Sequence, residues 1–268
     1  MKEKLVILIS SPKSYRDVFD INADLFQMNW AGCQFKKYYA TDILDGEKSE
    51  YKGFNVLRLP ECLDWVTRTR TALNKIDTEY VFIVGDDTFL VNKISTPEIV
   101  SLVDFMAANN CLYCQFDPKA AKKSKKNKLG SRIYQMLYKH PYGRSLHVSI
   151  WKKEYLLEIL DTSSNAWKIE QQWISETTKF GNKKLEGHIF YINNLFFHTV
   201  YKGKFVRSTA KALRKSGIEV FEPVRPLLSR SEQLSIDIKA IGRRIVPLRL
   251  VHGVKKIFKP FIKFDTDN

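Results

Sequence analysis

The spacing of hydrophobic positions changes several times between residues 5 and 116, and each change marks an element. Leu5 to Ile9 is an unbroken apolar run closed by Ser10-Ser11-Pro12, the length of a buried strand. From Tyr15 to Asn29 the residues Val18, Ile21, Leu25 and Phe26 recur at helical spacing, with Trp30 following, which predicts a helix. Phe35–Thr41 reads as a second strand ending at Asp42, and Val56-Leu57-Arg58-Leu59 as a short third one stopped by Pro60. Asp64–Ile76 predicts a helix with Trp65, Ala72, Leu73 and Ile76 on its apolar side. Tyr80 to Val84, all β-branched or aromatic, predicts a strand buried on both faces. Strands alternating with helices in this way predict an α/β domain with a mostly parallel sheet covered by helices on both sides.

Farther along, helices are expected at Pro97–Ala108, Lys153–Leu160, Trp167–Phe180 and Thr209–Lys215. Strands are expected at Cys111–Phe116, Ser145–Trp151 and within the aromatic stretch Gly187–Phe197. The Lys-rich segment Lys119–Lys128 has almost no large apolar residue and reads as a solvated loop, either a flap over an anionic ligand or a charged surface segment without a role. From Pro223 the character shifts again, with about ten Lys and Arg against four acids, interleaved with Ile236, Ile241, Leu250, Phe258 and Phe261. Such a basic amphipathic extension suits an interfacial helix on anionic lipid, divided by Pro247 and Pro260. Helices packed on the main domain are the alternative. The expected division is a catalytic domain over 1–222 and this extension over 223–268.

Composition narrows the function. The chain has 268 residues, 44% hydrophobic and 13% aromatic, enough for one large core with an appendage. A net charge of +15 calls for an anionic partner: nucleic acid, an acidic membrane face or phosphorylated substrates. The lysines cluster in one loop and the tail, and no zinc-finger, KH or RRM signature accompanies them, which argues against nucleic acid. The four cysteines, Cys33, Cys62, Cys111 and Cys114, are expected to be reduced core thiols, because the Cys111/Cys114 pair lacks the second pair of a zinc ribbon. The opening apolar run is too short for a signal peptide and no window is long enough to span a bilayer. The expected location is cytoplasmic, peripheral on the inner face of the cell membrane.

The strongest chemical signal is where the fourth strand ends, at Gly85-Asp86-Asp87. Burying unpaired carboxylates is costly, and ligands of α/β sheets sit at the C-terminal ends of strands. Two adjacent carboxylates there suit Mg²⁺ or Mn²⁺ holding a diphosphate. An Asp pair that caps the next turn and faces solvent is the competing explanation.

The stretch Ser145-Leu146-His147-Val148-Ser149-Ile150-Trp151-Lys152-Lys153-Glu154-Tyr155-Leu156, followed by Asn165-Ala166-Trp167-Lys168-Ile169-Glu170, resembles the patterns SLQxAIWxxxYL and NPWEFE. These belong to bacterial glycosyltransferases of the GT-A kind from capsule, O-antigen and exopolysaccharide clusters. The same family shows W-x-x-R before a DDxFL-like motif, matched by Trp65…Arg68 and Asp86-Asp87-Thr88-Phe89-Leu90, and a late YxNxxxRGKW, similar to Tyr191–Phe205 with Gly203-Lys204. The matches keep their order from about residue 5 to 215. Departures fall at Ala166 for Pro, Lys168 for Glu, Ile169 for Phe, His198 for Asn and Gly85 for Gln.

The resemblance implies a GT-A (Rossmann-like) fold. The implied activity is metal-assisted, inverting transfer from a nucleotide-sugar donor, UDP-linked, to a lipid-linked or oligosaccharide acceptor in surface polysaccharide synthesis. Asp87 and Asp86 would hold the metal, with His198 completing the shell or serving as a core residue. Ser10 and Asp42 would meet the nucleotide, Asp42 having turn-capping as its alternative, and Lys204 the pyrophosphate. Arg68 would pair with the diphosphate or fix a carboxylate, unless it is a surface arginine. Glu170 would be the base and Trp167 a sugar-stacking wall, against a Glu170 that only complements a helix dipole. A sugar-nucleotide pyrophosphorylase is the enzyme alternative, weakened by the absence of glycine from Ser10-Ser11-Pro12-Lys13-Ser14.

Overall fold

The computed structural model describes residues 2–42, 49–116, 128–136, 145–161, 165–170, 187–193, 195–215, 217–218 and 224–245. Residues 119–127 of the basic segment, residues 171–180 of the expected Trp167–Phe180 helix, and the tail beyond Ile245 lie outside them.

Two compact units make up the chain, Met1–Val200 and Tyr201–Asn268. The first is built on β1 (Glu3–Ser10), β2 (Lys36–Thr41), β3 (Glu50–Tyr51), β4 (Phe54–Arg58), β5 (Thr78–Val84), β7 (Tyr113–Phe116), β8 (Ile133–Gln135), β9 (Val148–Lys152) and β10 (His188–Tyr191). They form one sheet in the order β3-β4-β2-β1-β5-β9-β7-β10-β8. The strands β1, β2, β4, β5, β7 and β10 run one way and β3, β8 and β9 the other. The predicted mostly parallel α/β sheet is therefore present, with β9 inserted antiparallel beside β5.

Strand alternation splits the core in two. Leu5, Ile7, Ile9, Phe82 and Val84 point toward α1 (Arg16–Asn29) and α3 (Thr96–Ala108), where Phe19, Phe26, Leu102 and Met106 are buried. Val6, Leu8, Val81 and Ile83 face α2 (Trp65–Lys75) and α4 (Lys153–Ile159), through Val66, Ala72, Leu73 and Leu156. Each such fully buried side chain contributes about 1.5–3 kcal/mol. Helix α2 starts where Asp64 accepts from the Thr67 backbone N–H at 2.8 Å, as an N-cap.

Three expectations need correction. The strands expected from Cys111 and Ser145 begin later, at Tyr113 and Val148, because Cys111–Leu112 turns out of α3 and Ser145–His147 loops over the end of β5, where the Gly85 N–H donates to the His147 carbonyl at 2.7 Å. The two-stranded pairing of β6 (Thr88–Leu90) with β11 (Phe196–His198) was not predicted. Of the cysteines, Cys111 and Cys114 are buried and Cys33 half-buried, but Cys62 is exposed at φ 61°, so it is no core thiol.

In the second unit, Lys202 and Gly203 take φ 50° and 76° between β12 (Val200–Tyr201) and β13 (Lys204–Phe205), the left-handed pair that a two-residue hairpin requires. Helices α5 (Arg207–Lys215) and α6 (Arg230–Ile245) follow. Ser229 and Glu232 form a reciprocal cap at the start of α6: Glu232 N donates to Ser229 Oγ at 3.2 Å and Ser229 N to Glu232 Oε2 at 2.7 Å.

Candidate active site

Because β1, β2 and β5 are parallel and in register, their C-terminal residues gather along one edge of the sheet: Ser10-Ser11, Asp42 and Asp86-Asp87. This is the edge at which sheets of this kind bind ligands.

The acid turn is held from three sides. Asn22, fully buried on α1, directs its amide at the carbonyls of Gly85, Asp86 and Thr88 at 3.2, 3.3 and 3.4 Å. From β1, Ser11 Oγ donates to Asp86 Oδ2 at 2.6 Å, while the Asp87 N–H donates to Asp86 Oδ1 at 2.9 Å. From the third side, the backbone N–H and hydroxyl of Thr199 both reach the Asp87 carbonyl at 2.8 Å. Gly85 is needed for closeness: a Cβ there would lie 3.0 Å from Asp87 Oδ1 and 3.1 Å from Thr88 Oγ1. Burial, and then the charge of Asp87, push the Asp86 carboxyl up to about 6, against the lowering effect of Ser11.

The two acids therefore differ. Both oxygens of Asp86 are occupied by donors, which fixes its plane. Asp87 Oδ1 accepts from Thr88 Oγ1 at 3.2 Å and lies 3.9 Å from Nδ1 of the half-exposed His147. Among the described residues no group of three His, Cys, Asp or Glu side chains stands close enough to enclose an ion. This donor set fits Mg²⁺ or Mn²⁺, which take one or two carboxylates and complete their shell with phosphate oxygens and water.

Next along the edge, Arg68 is not a surface arginine. Its side chain is 3% exposed and its guanidinium meets Asp42 Oδ1 through Nε at 3.0 Å and Nη2 at 2.7 Å, with Nη2 also donating to the Leu63 carbonyl at 2.6 Å. Asp42 is thereby fixed, and its Oδ2 accepts from the Lys13 N–H at 3.3 Å. Ser10 is buried and its hydroxyl has no hydrogen-bond partner among the described residues.

Other predicted residues are distributed as follows. The β6–β11 register sets His198 opposite Thr88, one residue from Asp87; its side chain lies outside what the structure describes. Glu170, in the helical turn 166–170, accepts the Leu146 N–H on Oε1 at 2.7 Å, which ties it to the loop carrying His147. Trp167, in the same turn, is 55% exposed. Lys204 belongs to the second unit, where its ammonium pairs with Glu232 at 2.7 Å.

Beside Asp87 opens a cavity of about 330 Å³ lined by Thr88, Gln115, Phe116, Ser145, His147 and Asn193, with Val148 and Phe196. It sits where β7 and β10 end and β9 begins. Asn22, His147, Thr199 and Gln115 had no assigned role in the sequence. Only Asn22 gave a usable signal, a polar residue on the buried stripe between Val18 and Leu25.

No protein-family model matches the chain, and no curated protein sequence matches it. Among solved structures it is similar to a cytidylyltransferase from Leptospira borgpetersenii serovar Hardjo-bovis (12% identity, 80% of this chain and 95% of that one, TM-score 0.44). It is also similar to residues 1–349 of S. aureus TarS (14% identity, 72% of this chain and 59% of that one, TM-score 0.44). A third is the galactosyltransferase LgtC in complex with donor and acceptor sugar analogues (9% identity, 77% of each chain, TM-score 0.36). Identities this low leave function to the chemistry of the strand edge.

Proposed function

We propose that this protein is a divalent-cation-dependent glycosyltransferase that takes its sugar from a nucleoside diphosphate sugar. The observation that carries the reading is the braced acid pair: Asp86, its carboxyl pushed up to about 6 and both its oxygens bound by donors, beside Asp87, at the edge that also presents Ser10 and the Arg68–Asp42 pair. Two adjacent carboxylates at the C-terminal edge of a parallel sheet, one of them raised by burial, are an arrangement that functional sites favour. A bound cation would neutralise charge developing on a diphosphate leaving group. Asp87 holds it, and Asp86, locked by Ser11 and the Asp87 N–H, sets its position. Asp42, pinned by Arg68, offers one carboxylate edge to nucleoside hydroxyls or base N–H groups.

On the acceptor side, Trp167 presents an exposed ring that suits the C–H face of a sugar in a lipid-linked or oligosaccharide acceptor. Glu170, with one oxygen committed to Leu146, orients the His147 loop and keeps its second oxygen for an acceptor hydroxyl, the arrangement an inverting transfer asks for.

Calorimetric titration of UDP, with and without Mn²⁺, tests the reading. Wild type is expected to bind in a Mn²⁺-dependent way. Asp87→Asn is expected to lose more than the roughly 10–100-fold that a partner outside the coordination sphere costs. Mn²⁺-independent binding, or an unaltered Asp87→Asn variant, would overturn it. Release of UDP from a UDP-sugar, rather than of pyrophosphate, separates sugar transfer from nucleotidyl transfer.

A further inference from the structure

The chemistry above gives the imidazole of His147 no part, yet the loop that carries it is anchored residue by residue. The Ser145 N–H donates to Tyr113 Oη at 2.7 Å, and the Ser145 carbonyl accepts from Ser149 Oγ at 2.8 Å. The Leu146 N–H donates to Glu170 Oε1 at 2.7 Å, and the His147 carbonyl accepts from the Gly85 N–H at 2.7 Å. The main chain of His147 is thereby fixed against the acid turn, while its side chain stays 52% exposed. A histidine serving only the core would be covered. This one is held in place and left open, as a rigid scaffold presents a side chain that binds something.

Its ring faces the space over Gly85. A Cβ at Gly85 would lie 3.0 Å from Asp87 Oδ1, 3.1 Å from Thr88 Oγ1 and 3.5 Å from His147 Nδ1. Three polar atoms from two separate segments therefore converge on a cradle that a side chain would fill and that glycine leaves open. Asp87 Oδ1 and His147 Nδ1 are 3.9 Å apart, too far for a direct hydrogen bond. Two ligands held about 2.1 Å from one octahedral ion stand about 3.0 Å apart when adjacent and about 4.2 Å apart when opposite. The observed separation lies inside that span.

We infer that His147 is a protein ligand of the cation, binding through Nδ1 beside Asp87, and that this nitrogen tilts the site away from Mg²⁺ toward first-row transition ions. The inference rests on the cation-dependent reading above and adds a ligand from outside the strand-end acids. Mg²⁺ is a hard ion that takes oxygen ligands, whereas affinity for sites with nitrogen donors rises from Mn²⁺ through Co²⁺ along the first row. A neutral imidazole also adds no negative charge to the shell, so the ion keeps more of its own charge for a diphosphate than a third carboxylate would leave it.

Pulsed electron paramagnetic resonance of the protein loaded with Mn²⁺ and UDP tests this, with ¹⁵N-labelled histidine to identify imidazole nitrogen. Wild type is expected to show the coupling of one directly bound imidazole, and His147→Ala to lose it at saturating Mn²⁺ and UDP. In the same variant the ratio of Co²⁺ to Mg²⁺ affinity, titrated with UDP present, should fall by at least the roughly ten-fold that losing even an outer-shell partner costs. The loop's anchoring bonds are made by its main chain, so the substitution leaves them in place. Should His147→Ala melt without cooperativity, His147→Gln keeps a polar side chain and is expected to show the same losses. A wild-type spectrum without imidazole coupling, with Mn²⁺ and UDP bound, would overturn the inference and leave the broader reading standing. So would a coupling that survives in the variant, which assigns the nitrogen to another histidine. Failure of UDP to bind wild type in a Mn²⁺-dependent way would overturn both.

Discussion

At the scale of single residues, the site trades stability for charge, and the trade can be read from pH. Asp86 is held near 6 against an ordinary 3.8, with burial the main cause and Asp87 the second. Below about pH 4 its carboxyl is protonated in folded and unfolded chains alike, and its full contribution to stability is present. As pH rises from about 4 to about 6 the unfolded chain sheds the proton while the folded one keeps it, so stability falls through that window and stays lower above it. The gap corresponds to about 3 kcal/mol. Asp86→Asn is therefore expected to raise metal-free stability by up to that amount at pH 8 and by little at pH 4, in denaturant titrations at both values. An equal gain at both would show that the buried charge is not what destabilises the turn. Arg68 and Asp42 make the opposite bargain, a buried pair in which each satisfies the other. Asp42→Ala strands the guanidinium and is expected to cost about 3–5 kcal/mol, measured by the same titration. A loss below about 1 kcal/mol would mean that the Leu63 carbonyl and water suffice.

At the scale of elements, the acid turn is a feature of α1 as much as of β5. Asn22 satisfies three carbonyls of the turn with one amide. Asn22→Leu keeps the helix and its volume but unpairs those groups, so a loss of about 1–3 kcal/mol is expected. Weaker Mn²⁺-dependent UDP binding should accompany it, since the carboxylates lose their brace. Unchanged nucleotide affinity alongside the stability loss would confine Asn22 to a structural role. The contrast between Asp86 and Asn22 shows what could be read from sequence. The strands β1, β2 and β5 announce themselves through local apolar runs, and the acids at their ends follow in the next residues. Asn22, Thr199 and His147 act on partners far along the chain, 63, 112 and 60 residues away for Gly85, Asp87 and Asp87 respectively, and no local pattern encodes such pairings. The β6–β11 ladder was missed for the same reason: three-residue strands have no periodicity to detect, and their partners are distant. Arg68 stands out in the sequence through the W-x-x-R resemblance, but its burial depends on Asp42 and Leu63 reaching it in space, which no local pattern encodes.

At the scale of the whole molecule, the unexplained quantity is the charge of +15. Among the described residues no helix is long and apolar enough to cross a membrane. In α6, Leu234 and Ile238 lie one turn apart and are 60% and 53% exposed. Beyond Ile245 the sequence adds Arg249, Lys255, Lys256, Lys259 and Lys263 against Asp265 and Asp267, between apolar residues such as Ile257, Phe258 and Phe261. Exposed apolar side chains beside surplus positive charge favour adsorption to an anionic bilayer, each Lys or Arg near the surface contributing about 1 kcal/mol. Where to cut the chain to test this follows from the second unit. Removing everything after residue 225 would strip Phe205 of its bonds to the Pro226 carbonyl and the Leu228 N–H and delete the Ser229–Glu232 cap. Ending the chain at Ile245 leaves those contacts intact. The shortened protein is expected to sediment less with phosphatidylserine-containing vesicles than the full chain, with no difference on neutral vesicles. Raising salt should release the full chain, because the attraction is screened within about 10 Å at 0.1 M. UDP binding with Mn²⁺ should be unaffected by the cut, since the acid pair and its braces all lie in Met1–Val200. Equal sedimentation of the two chains would remove the bilayer from the list of partners for the tail.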